Sequence, residues 1–249
     1  MIDDFFRAVG FLTILPCPER SGTVEDFGRI SGWFPVVGAV LGVMLWLAAF
    51  FLNYIFPFFV VSGLTVMLWA FLTRGFHLDG LADTFDGIGG GFDRESRLAI
   101  MKDSRLGTFG GVSISAMLLL KIAALAGTRR LFPALLLAPV LGRWAILFAM
   151  KFFPSARPGG MGDTFRKGCG KNQVKLSSIF VFWAIVLSTG YHGLPLLLLI
   201  PAAALLFSRW LRSLLGGLTG DSYGAVCEIG ELLVLLFFAI DIEFRIHFF

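Results

Sequence analysis

Charged residues, cysteines and histidines are all scarce in this chain. Only 15% of its 249 residues are charged, and it has three cysteines and three histidines. So few ionic groups cannot solvate a soluble domain of this size, which excludes an ordinary water-soluble fold. Cys17, Cys169 and Cys227 lie far apart and outside any CxxC or Cys/His spacing. This excludes a disulfide framework and a zinc cluster built from neighbouring ligands.

Several sequence signals are also missing. Asp3 and Asp4 stand where a signal peptide would carry basic residues, and no small-residue cleavage site follows them. We therefore expect the N-terminal segment to stay on the mature protein as an interfacial helix. The glycines between Gly87 and Gly91 are not followed by the Gly-Lys-Ser/Thr of a Walker loop. No repeat or linker is visible, which predicts one transmembrane catalytic domain over residues 1–249.

Long apolar runs dominate the chain instead, with 57% hydrophobic residues and a mean hydropathy of +0.82. A membrane crossing needs about 20 apolar residues, which predicts an all-α, polytopic integral membrane helix bundle of about seven spans. The candidate spans are Phe34–Phe56, Phe58–Phe76, Gly107–Ala126, Leu131–Phe153, Leu176–Thr189, Leu194–Trp210 and Gly224–Ile240. Gly38 with Gly42, and Gly107 with Gly111, have the small-xxx-small spacing that allows close helix packing.

The basic residues indicate how the bundle is oriented. Of 21 lysines and arginines, 16 fall on the side of the N-terminus, Arg129, Arg130 and Arg245 fall on the other side, and Lys121 and Arg143 lie inside spans. Cytoplasmic connections retain basic residues, so we expect a multi-pass protein of the cell (inner) membrane with a cytoplasmic N-terminus. The basic residues are spread over many connections and form no single patch, which disfavours a nucleic-acid partner.

An acidic cluster follows the second span in the sequence HLDGLADTFDG. Asp79, Asp83 and Asp86 stand at i, i+4 and i+7, which places their carboxylates within about 60° of one helix face. Three such carboxylates beside a membrane repel one another unless a cation neutralises them. Oxygen ligands alone favour Mg²⁺ or Mn²⁺, which is often completed by substrate phosphates. The alternative is a solvated helix start with acids at its positive end.

A polar group directly precedes the third span. Lys102, Asp103, Ser104 and Arg105 provide cations and hydrogen-bond donors within reach of an anion. This arrangement predicts the phosphate side of the same site. The alternative is that Lys102 and Arg105 only flank the membrane, with their charged ends turned toward water.

A second acidic group enters the last span. Asp221 and Glu228 are seven residues apart and so share nearly one helix face, with Glu231 about 60° from Glu228. Glutamates heading a span must face the protein interior, where a metal, Arg143 or Lys121 could pair with them. A structural ion pair and a catalytic role both remain open for these glutamates.

One histidine adjoins the first acidic cluster. His77 stands on nearly the opposite side of the helix from Asp79, if the helix has begun there. That position favours packing or a hydrogen bond, and we include His77 among the candidate substrate contacts.

The segments that carry these residues resemble the cobalamin synthase family, the membrane adenosylcobinamide-GDP ribazoletransferases. The matching segments are FLTILPCP at Phe11–Pro18, WFPVVGAVLG at Trp33–Gly42, HLDGLADTFDG at His77–Gly87, MKDSRLGTFG at Met101–Gly110, APVLGRW at Ala138–Trp144, and LTGDSYGA with the following Glu228 and Glu231. They cover nearly the whole chain in order. The departures are Cys227, where a polar residue such as Asn is expected, and Ser222–Tyr223 in place of a Thr-Leu pair.

The resemblance implies a specific reaction. An adenosylcobinamide phosphate unit would pass from its GDP form to a ribose hydroxyl of α-ribazole or α-ribazole 5′-phosphate, with release of GMP and a requirement for Mg²⁺. These are small-molecule substrates, and a homo-oligomer is compatible with the resemblance.

The candidate residues take roles in this reaction. The expected metal ligands are Asp79, Asp83, Asp86 and Glu228. The expected contacts to phosphate or substrate are His77, Lys102, Ser104, Arg105, Arg143 and Asp221. Catalysis is expected at the first three aspartates and Asp103, with Asp86 or Asp103 as the proton acceptor.

Two other functions use similar residues. A CDP-alcohol phosphatidyltransferase also aligns aspartates on membrane helices, but its DGxxAR arrangement is absent because Asp83 follows Ala82. A membrane cation transporter with carboxylates at broken helices is the second alternative.

Overall fold

The computed structural model describes residues 2–17 and 28–240, and these residues form helices without any β-strand. The helices are α1 Ile2–Leu12, α2 Phe34–Leu52, α3 Phe58–Leu72, α4 Phe76–Gly90, α5 Arg94–Ile100, α6 Thr108–Gly127, α7 Leu131–Phe152, α8 Met161–Gly168, α9 Lys171–Thr189, α10 Leu196–Leu215 and α11 Gly220–Ala239. Short 3-10 turns occur at Ser31–Trp33 and Gly190–Gly193. Pro18 and Arg245, which entered the sequence arguments, lie outside the described residues.

The helix lengths confirm the predicted polytopic membrane bundle. Among the described residues six helices are long and apolar enough to cross a membrane, and the pair α3 with α4 passes the same test as one broken span. The predicted number of about seven is therefore confirmed. With 11 residues, α1 is about half as long as a crossing requires. Its buried side chains Ala8, Val9 and Leu12 pack on the bundle, and the Ile14 N–H donates to the Leu72 carbonyl at 2.9 Å.

A sharp bend separates α3 from α4. The two helix axes meet at 88°, and the bend lies at Arg74 and Gly75, whose φ angles of 56° and 63° are left-handed. A left-handed residue ends a right-handed helix, and such a conformation is rare for a side chain as large as arginine. The predicted span Phe58–Phe76 therefore stops at Leu72, and the acidic cluster lies on a helix with a new direction.

Helix α7 forms the centre of the bundle and packs against α2 and α11. The α2–α7 contact depends on Gly38 and Gly42, because a Cβ atom on Gly42 would lie 2.6 Å from the Leu135 carbonyl oxygen. The first small-xxx-small prediction is therefore confirmed as helix packing. The second is wrong, since Gly111 has no heavy atom within 4 Å of its Cβ position and Gly107 faces the Asp86 side chain.

Polar helix ends explain most of the differences between predicted and observed boundaries. Helix α9 begins five residues before the predicted Leu176, in the polar stretch that starts at Lys171, and α10 continues past Trp210 to include Arg212. Helix α11 begins at Gly220, so Asp221 lies in its first turn. Hydropathy marks the segment that faces lipid, whereas hydrogen bonding carries the helix further into polar surroundings.

Candidate active site

A pocket of about 290 Å³ opens at one end of the bundle, and we call it the charged pocket. Three segments that are distant in the sequence form its walls: the start of α4, the connection after α7 together with the first turn of α8, and the start of α11. The residues that line it are Phe76, Asp79, Gly80, Ser155, Arg157, Gly160, Met161, Gly162, Asp163, Thr219, Gly220, Asp221 and Gly224. The fold thus brings Asp79 and Asp221, from the two predicted acidic groups, into one cavity.

Helices α4 and α11 approach closely at this pocket. A Cβ atom on Gly80 would lie 2.7 Å from the Asp221 carbonyl oxygen, so only glycine permits the contact. The start of α11 is closed by a capping box, in which the Thr219 hydroxyl accepts from the Ser222 N–H at 3.1 Å and the Ser222 hydroxyl accepts from the Thr219 N–H at 3.2 Å. The Thr219 hydroxyl also lies 3.2 Å from Asp221 Oδ2. These contacts fix the Asp221 carboxylate at the pocket wall.

Arg157 supplies positive charge to the pocket and was not predicted. Its Nη1 lies 3.5 Å from Asp221 Oδ2, and its Nη2 donates to the Leu98 carbonyl at 2.7 Å. The Ala156 N–H donates to the Leu218 carbonyl at 2.8 Å, which ties this connection to the segment before α11. One feature of the sequence could have indicated this part of the site. Arg157 and Asp163 flank three glycines in a segment on the basic side of the bundle.

Asp163 organises the glycine-rich part of the same wall. Its buried carboxylate accepts from Lys167 Nζ at 2.7 Å, from the Gly159 N–H at 3.0 Å and from Arg166. The hydrogen bond from Lys167, followed by that from Gly159, lowers the pKa of Asp163 to about 2. Asp163 therefore stays ionised and holds the turn that precedes α8.

Asp79 and Asp83 carry negative charge that no ion pair within the described residues offsets. Asp79 is exposed and lines the charged pocket, and Asp83 follows one helical turn later with partial exposure. The negative charges of Asp79, Asp221 and Asp86 all act on Asp83, and the opposing positive charge comes from Arg157. Asp79, Asp83 and Asp221 carry more negative charge than the one guanidinium of Arg157 offsets, and such a site favours a divalent cation. The predicted sharing of one face is confirmed for Asp79 and Asp83.

Asp86 is placed differently from the other two aspartates. It is buried, and its two carboxylate oxygens accept from the Gly107 N–H at 2.8 Å and from the Gly110 N–H at 2.7 Å. These donors belong to the first turn of α6, whose own N-cap residue is a glycine without a capping side chain. The structure therefore makes Asp86 the cap of α6, and this contact competes with its predicted roles as metal ligand and proton acceptor.

Gly110→Ala should destabilise the protein, whereas Gly111→Ala should not. A Cβ atom on Gly110 would collide with Asp86 Oδ2, while the neighbouring Gly111 has open space. We expect a loss of about 1–3 kcal/mol in unfolding free energy for Gly110→Ala. For Gly111→Ala, a gain of up to about 1 kcal/mol follows from removing a helical glycine. Unfolding in detergent, followed by circular dichroism, measures both variants. Equal stability of the two would contradict the capping contact.

The polar group before α6 forms an exposed ion pair. Arg105 binds Asp103 through two nitrogens, with the shortest Nη2–Oδ2 distance at 2.5 Å and the arginine 88% exposed. The hydrogen bonds from Arg105 lower the pKa of Asp103 to about 2, which makes this carboxylate a weak proton acceptor. Lys102 and Ser104 are exposed on the same connection, which ends at the Asp86 contact. Their predicted contacts to phosphate stay predictions.

A buried ion network links three spans deeper in the bundle. Lys121 Nζ lies 2.6 Å from Glu228 Oε2 and 2.5 Å from Glu231 Oε2, and Arg143 Nη1 lies 2.8 Å from Glu231 Oε1. Lys121 also stacks over the Trp69 ring at 4.5 Å. The predicted pairing of the two glutamates with Lys121 and Arg143 is confirmed. Glu228 lies seven residues, or about 10 Å, along α11 from Asp221 and binds Lys121 instead of joining the aspartates.

Comparison with known proteins identifies the family. A family profile described as cobalamin-5-phosphate synthase matches residues 4–239. The chain belongs to the cobalamin-5-phosphate synthase family. A relative from Roseiflexus sp. (strain RS-1) is 39% identical over 96% of this chain and 90% of its own length. Another from Desulfitobacterium hafniense (strain Y51) is 40% identical over 92% of this chain and 93% of its own. Both are named adenosylcobinamide-GDP ribazoletransferase. No solved structure matches the chain.

Two residues of this family member lie apart from the charged pocket, although they were predicted to contact substrate. Arg143 is completely buried, and its Nη1 also donates to the Pro139 carbonyl at 3.0 Å. His77 is 3% exposed and lines a small apolar cavity next to the charged pocket. Helical spacing shows on which face of a helix a residue lies, but not how deeply the neighbouring helices bury it. It therefore could not separate Arg143 and His77 from the residues that line the charged pocket. Asp221, in contrast, lines the charged pocket, and its predicted contact to substrate stays a prediction.

Proposed function

We propose that this protein is an adenosylcobinamide-GDP ribazoletransferase, the activity that its relatives' names state. It would join adenosylcobinamide-GDP to α-ribazole or its 5′-phosphate and release GMP. The observation that carries the proposal is the meeting of Asp79, Asp221 and Arg157 in one pocket of a family member. Carboxylates that bind a metal, next to an arginine that binds phosphate, are the groups that phosphoryl transfer requires.

The residues present fit a Mg²⁺ ion. We place its ligands at Asp79 and Asp83, whose carboxylates make no ion pair in the described part of the chain and whose charge exceeds that of Arg157. When bound, Mg²⁺ would stabilise the charge that develops on the phosphate oxygens. Asp221 would support the site from α11, and Asp86 would hold α6 in position beside it.

A wider groove adjoins the charged pocket and could receive the larger substrate. It measures about 760 Å³, and Phe76 and Asp79 line both cavities. Adenosylcobinamide-GDP is the bulkier reactant, so we place its corrin ring in the groove and its pyrophosphate near Asp79. The acceptor nucleoside then approaches from the charged pocket, and the two substrates meet at the residue common to both cavities.

The chain's own groups have distinct tasks in this reaction. Arg157 would bind oxygens of the pyrophosphate, and the N–H groups at the start of α11 would add positive potential. The acceptor hydroxyl oxygen bonds to the phosphorus of the adenosylcobinamide phosphate, and the anhydride bond to GMP breaks, with its electron pair leaving on GMP. Asp86 and Asp103 are already hydrogen bonded, so we place the acceptor of the hydroxyl proton at Asp83.

We further propose that the site faces the cytoplasm of a cell whose inner membrane holds the protein. The connections that line the charged pocket all lie at the bundle end where most basic residues occur. Retention of basic residues in the cytoplasm supports this orientation. Water-soluble nucleotide substrates would then reach the pocket directly.

An assay of GMP release tests the function. The protein is purified, reconstituted in liposomes and given adenosylcobinamide-GDP, with or without α-ribazole and with Mg²⁺ or EDTA. We expect stoichiometric GMP and cobalamin product only when α-ribazole and Mg²⁺ are both present. Absence of product under every condition, or metal flux across the liposomes without nucleotide release, would overturn the proposal. Displacement of CMP from a CDP-alcohol would instead support a phosphatidyltransferase.

A further inference from the structure

The end of α3 carries an arginine at a position that usually belongs to glycine. The Arg74 N–H donates to the Phe71 carbonyl at 3.0 Å, and the Gly75 N–H donates to the Ala70 carbonyl at 2.8 Å. This pair of hydrogen bonds is a Schellman motif, whose left-handed residue is most often glycine. Among the described residues Arg74 is the only non-glycine with a positive φ, at 56°. Its side chain is therefore retained at a conformational cost.

The Arg74 guanidinium is unpaired within the described part of the chain. The side chain is exposed, and it makes no hydrogen bond or ion pair with any residue that the structure describes. A positive charge near the C-terminal end of a helix is favourable, but the last turn of α3 could supply that charge without a left-handed side chain. A strained residue with an unpaired charged side chain points instead to the binding of a ligand.

Arg74 lines the wider groove of about 760 Å³ that adjoins the charged pocket. Its other walls, as far as the structure describes them, are apolar residues and glycines apart from Thr73 and Asp79. The Asp79 N–H donates to the Gly75 carbonyl at 2.8 Å, so Arg74 lies just over one helical turn before Asp79. An anion in the groove next to the proposed metal ligand Asp79 would therefore also meet the Arg74 guanidinium.

We propose that Arg74 binds the phosphate of the leaving nucleotide, GMP, on the groove side of Asp79. This inference rests on the proposed function, in which the acceptor hydroxyl approaches from the charged pocket. In phosphoryl transfer the attacking and the leaving oxygens lie roughly in line, on opposite sides of the phosphorus. An acceptor in the charged pocket therefore directs the leaving oxygen of GMP toward the groove, where Arg74 is the cation that the described residues provide.

The charges of the step suit an arginine at this place. The acceptor oxygen bonds to the transferred phosphorus, the hydroxyl proton passes to Asp83, and the electron pair of the broken anhydride bond stays on the GMP phosphate. A guanidinium can donate two parallel hydrogen bonds to phosphate oxygens. Arg157 lines the charged pocket and not the groove, and its Nη2 already donates to the Leu98 carbonyl. Arg157 would thus hold the transferred phosphate, and Arg74 the leaving one.

The test is Arg74→Gln, measured with GMP and with adenosylcobinamide phosphate, the two halves of the donor. Titration calorimetry uses the full-length protein with Mg²⁺ in a maltoside detergent, whose headgroup has no phosphate that could compete for the arginine. We expect the Kd for GMP to rise about tenfold, the effect of losing charge-assisted hydrogen bonds. The Kd for adenosylcobinamide phosphate should not change. GMP formation at saturating substrates should slow by about the same factor.

Three further variants separate charge, strain and a general effect of losing an arginine. Arg74→Lys keeps the charge and should keep most of the affinity for GMP. Arg74→Gly removes the side chain together with its strain, so GMP binding should weaken as in Arg74→Gln while the melting temperature does not fall. Arg209→Gln is the matched control, because Arg209 is an exposed arginine on α10 that lines neither cavity. It should change neither affinity.

Three results would overturn the assignment. They are an unchanged affinity for GMP in Arg74→Gln, as for an arginine that contacts only water or lipid headgroups, a loss that extends to adenosylcobinamide phosphate, or an equal loss in Arg209→Gln. The failure of the proposed function has a separate signature, since the wild-type protein would then neither bind GMP nor release it from adenosylcobinamide-GDP. A wild type that does both, with an Arg74→Gln variant that matches it, refutes only the role of Arg74.

Discussion

Asp83→Asn should reduce Mg²⁺-dependent GMP release to less than about a tenth of the wild-type rate while leaving the folded protein intact. The Asp83 carboxylate is surrounded by the charges of Asp79, Asp221 and Asp86 and makes no ion pair within the described residues. Removing one of several like charges relieves repulsion, so stability should not fall. The substitution also removes a proposed ligand of Mg²⁺. Activity should therefore fall while stability stays the same or rises, whereas the loss of a purely structural residue would lower both.

The rate is measured at saturating substrate over a range of Mg²⁺ concentrations, and unfolding is followed on the same preparation. Glu95→Gln is the matched control because Glu95 is a 78% exposed carboxylate on α5, outside the charged pocket. We expect its rate and its Mg²⁺ dependence to equal those of the wild type. Activity above a tenth of wild type in Asp83→Asn, with an unchanged Mg²⁺ requirement, would remove Asp83 from the site.

The arrangement of the first acidic cluster shows how far helical spacing can predict a site. The i, i+4, i+7 pattern correctly places Asp79, Asp83 and Asp86 on one helix, and the pattern of basic residues correctly brings the acidic segments to one end of the bundle. Spacing cannot show what each carboxylate faces. Asp86 meets backbone N–H groups of residues 21 and 24 positions later in the chain, and such a contact depends on how α6 enters the bundle.

The parts of the site that sequence patterns missed lie in and just after the connection that follows α7. Arg157 belongs to this glycine-rich connection, and Asp163 lies in the first turn of α8, a helix of eight residues. A segment so rich in glycine and a helix so short give no clear periodicity, so no pattern distinguished these residues. The bend before α4 was missed for a related reason. The predicted span Phe58–Phe76 runs across Thr73, Arg74 and Gly75, whereas the left-handed backbone of Arg74 and Gly75 sets a new direction for the chain. A left-handed backbone at one or two residues cannot be read from the average hydropathy of a span.

For the buried network the sequence left a structural ion pair and a catalytic role open, and the structure shows the ion pairs. Lys121 pairs with both Glu228 and Glu231, and Arg143 pairs with Glu231. All four side chains are inaccessible to solvent, with exposures between 0% and 6%. Each charge is therefore tolerable only while its partner is present. The network joins α6, α7 and α11, and α11 carries Asp221 at its other end.

Glu231→Gln should consequently destabilise the protein by about 3–5 kcal/mol, because it leaves the Arg143 guanidinium buried without its carboxylate. Arg143 Nε and Nη2 have no hydrogen-bond partner among the described residues, and without Glu231 its Nη1 would keep only the Pro139 carbonyl. Adding Arg143→Met to Glu231→Gln removes the orphaned charge and leaves the neutral pair of Lys121 and Glu228. We expect the double variant to regain most of the lost stability. Unfolding of detergent-solubilised protein by increasing SDS measures the four members of the cycle.

A strong positive coupling between the two substitutions is the decisive result, since independent sites would give additive losses. Additive losses would show that Glu231 and Arg143 act through separate neighbours. The double variant also separates stability from activity. If the network only holds α11 in place, GMP release should recover together with folding, because neither residue lines the charged pocket. Recovered stability without recovered activity would instead indicate that the network acts on the reaction through the neighbouring His77, one ring nitrogen of which lies within 4.8 Å of a Glu231 carboxylate oxygen.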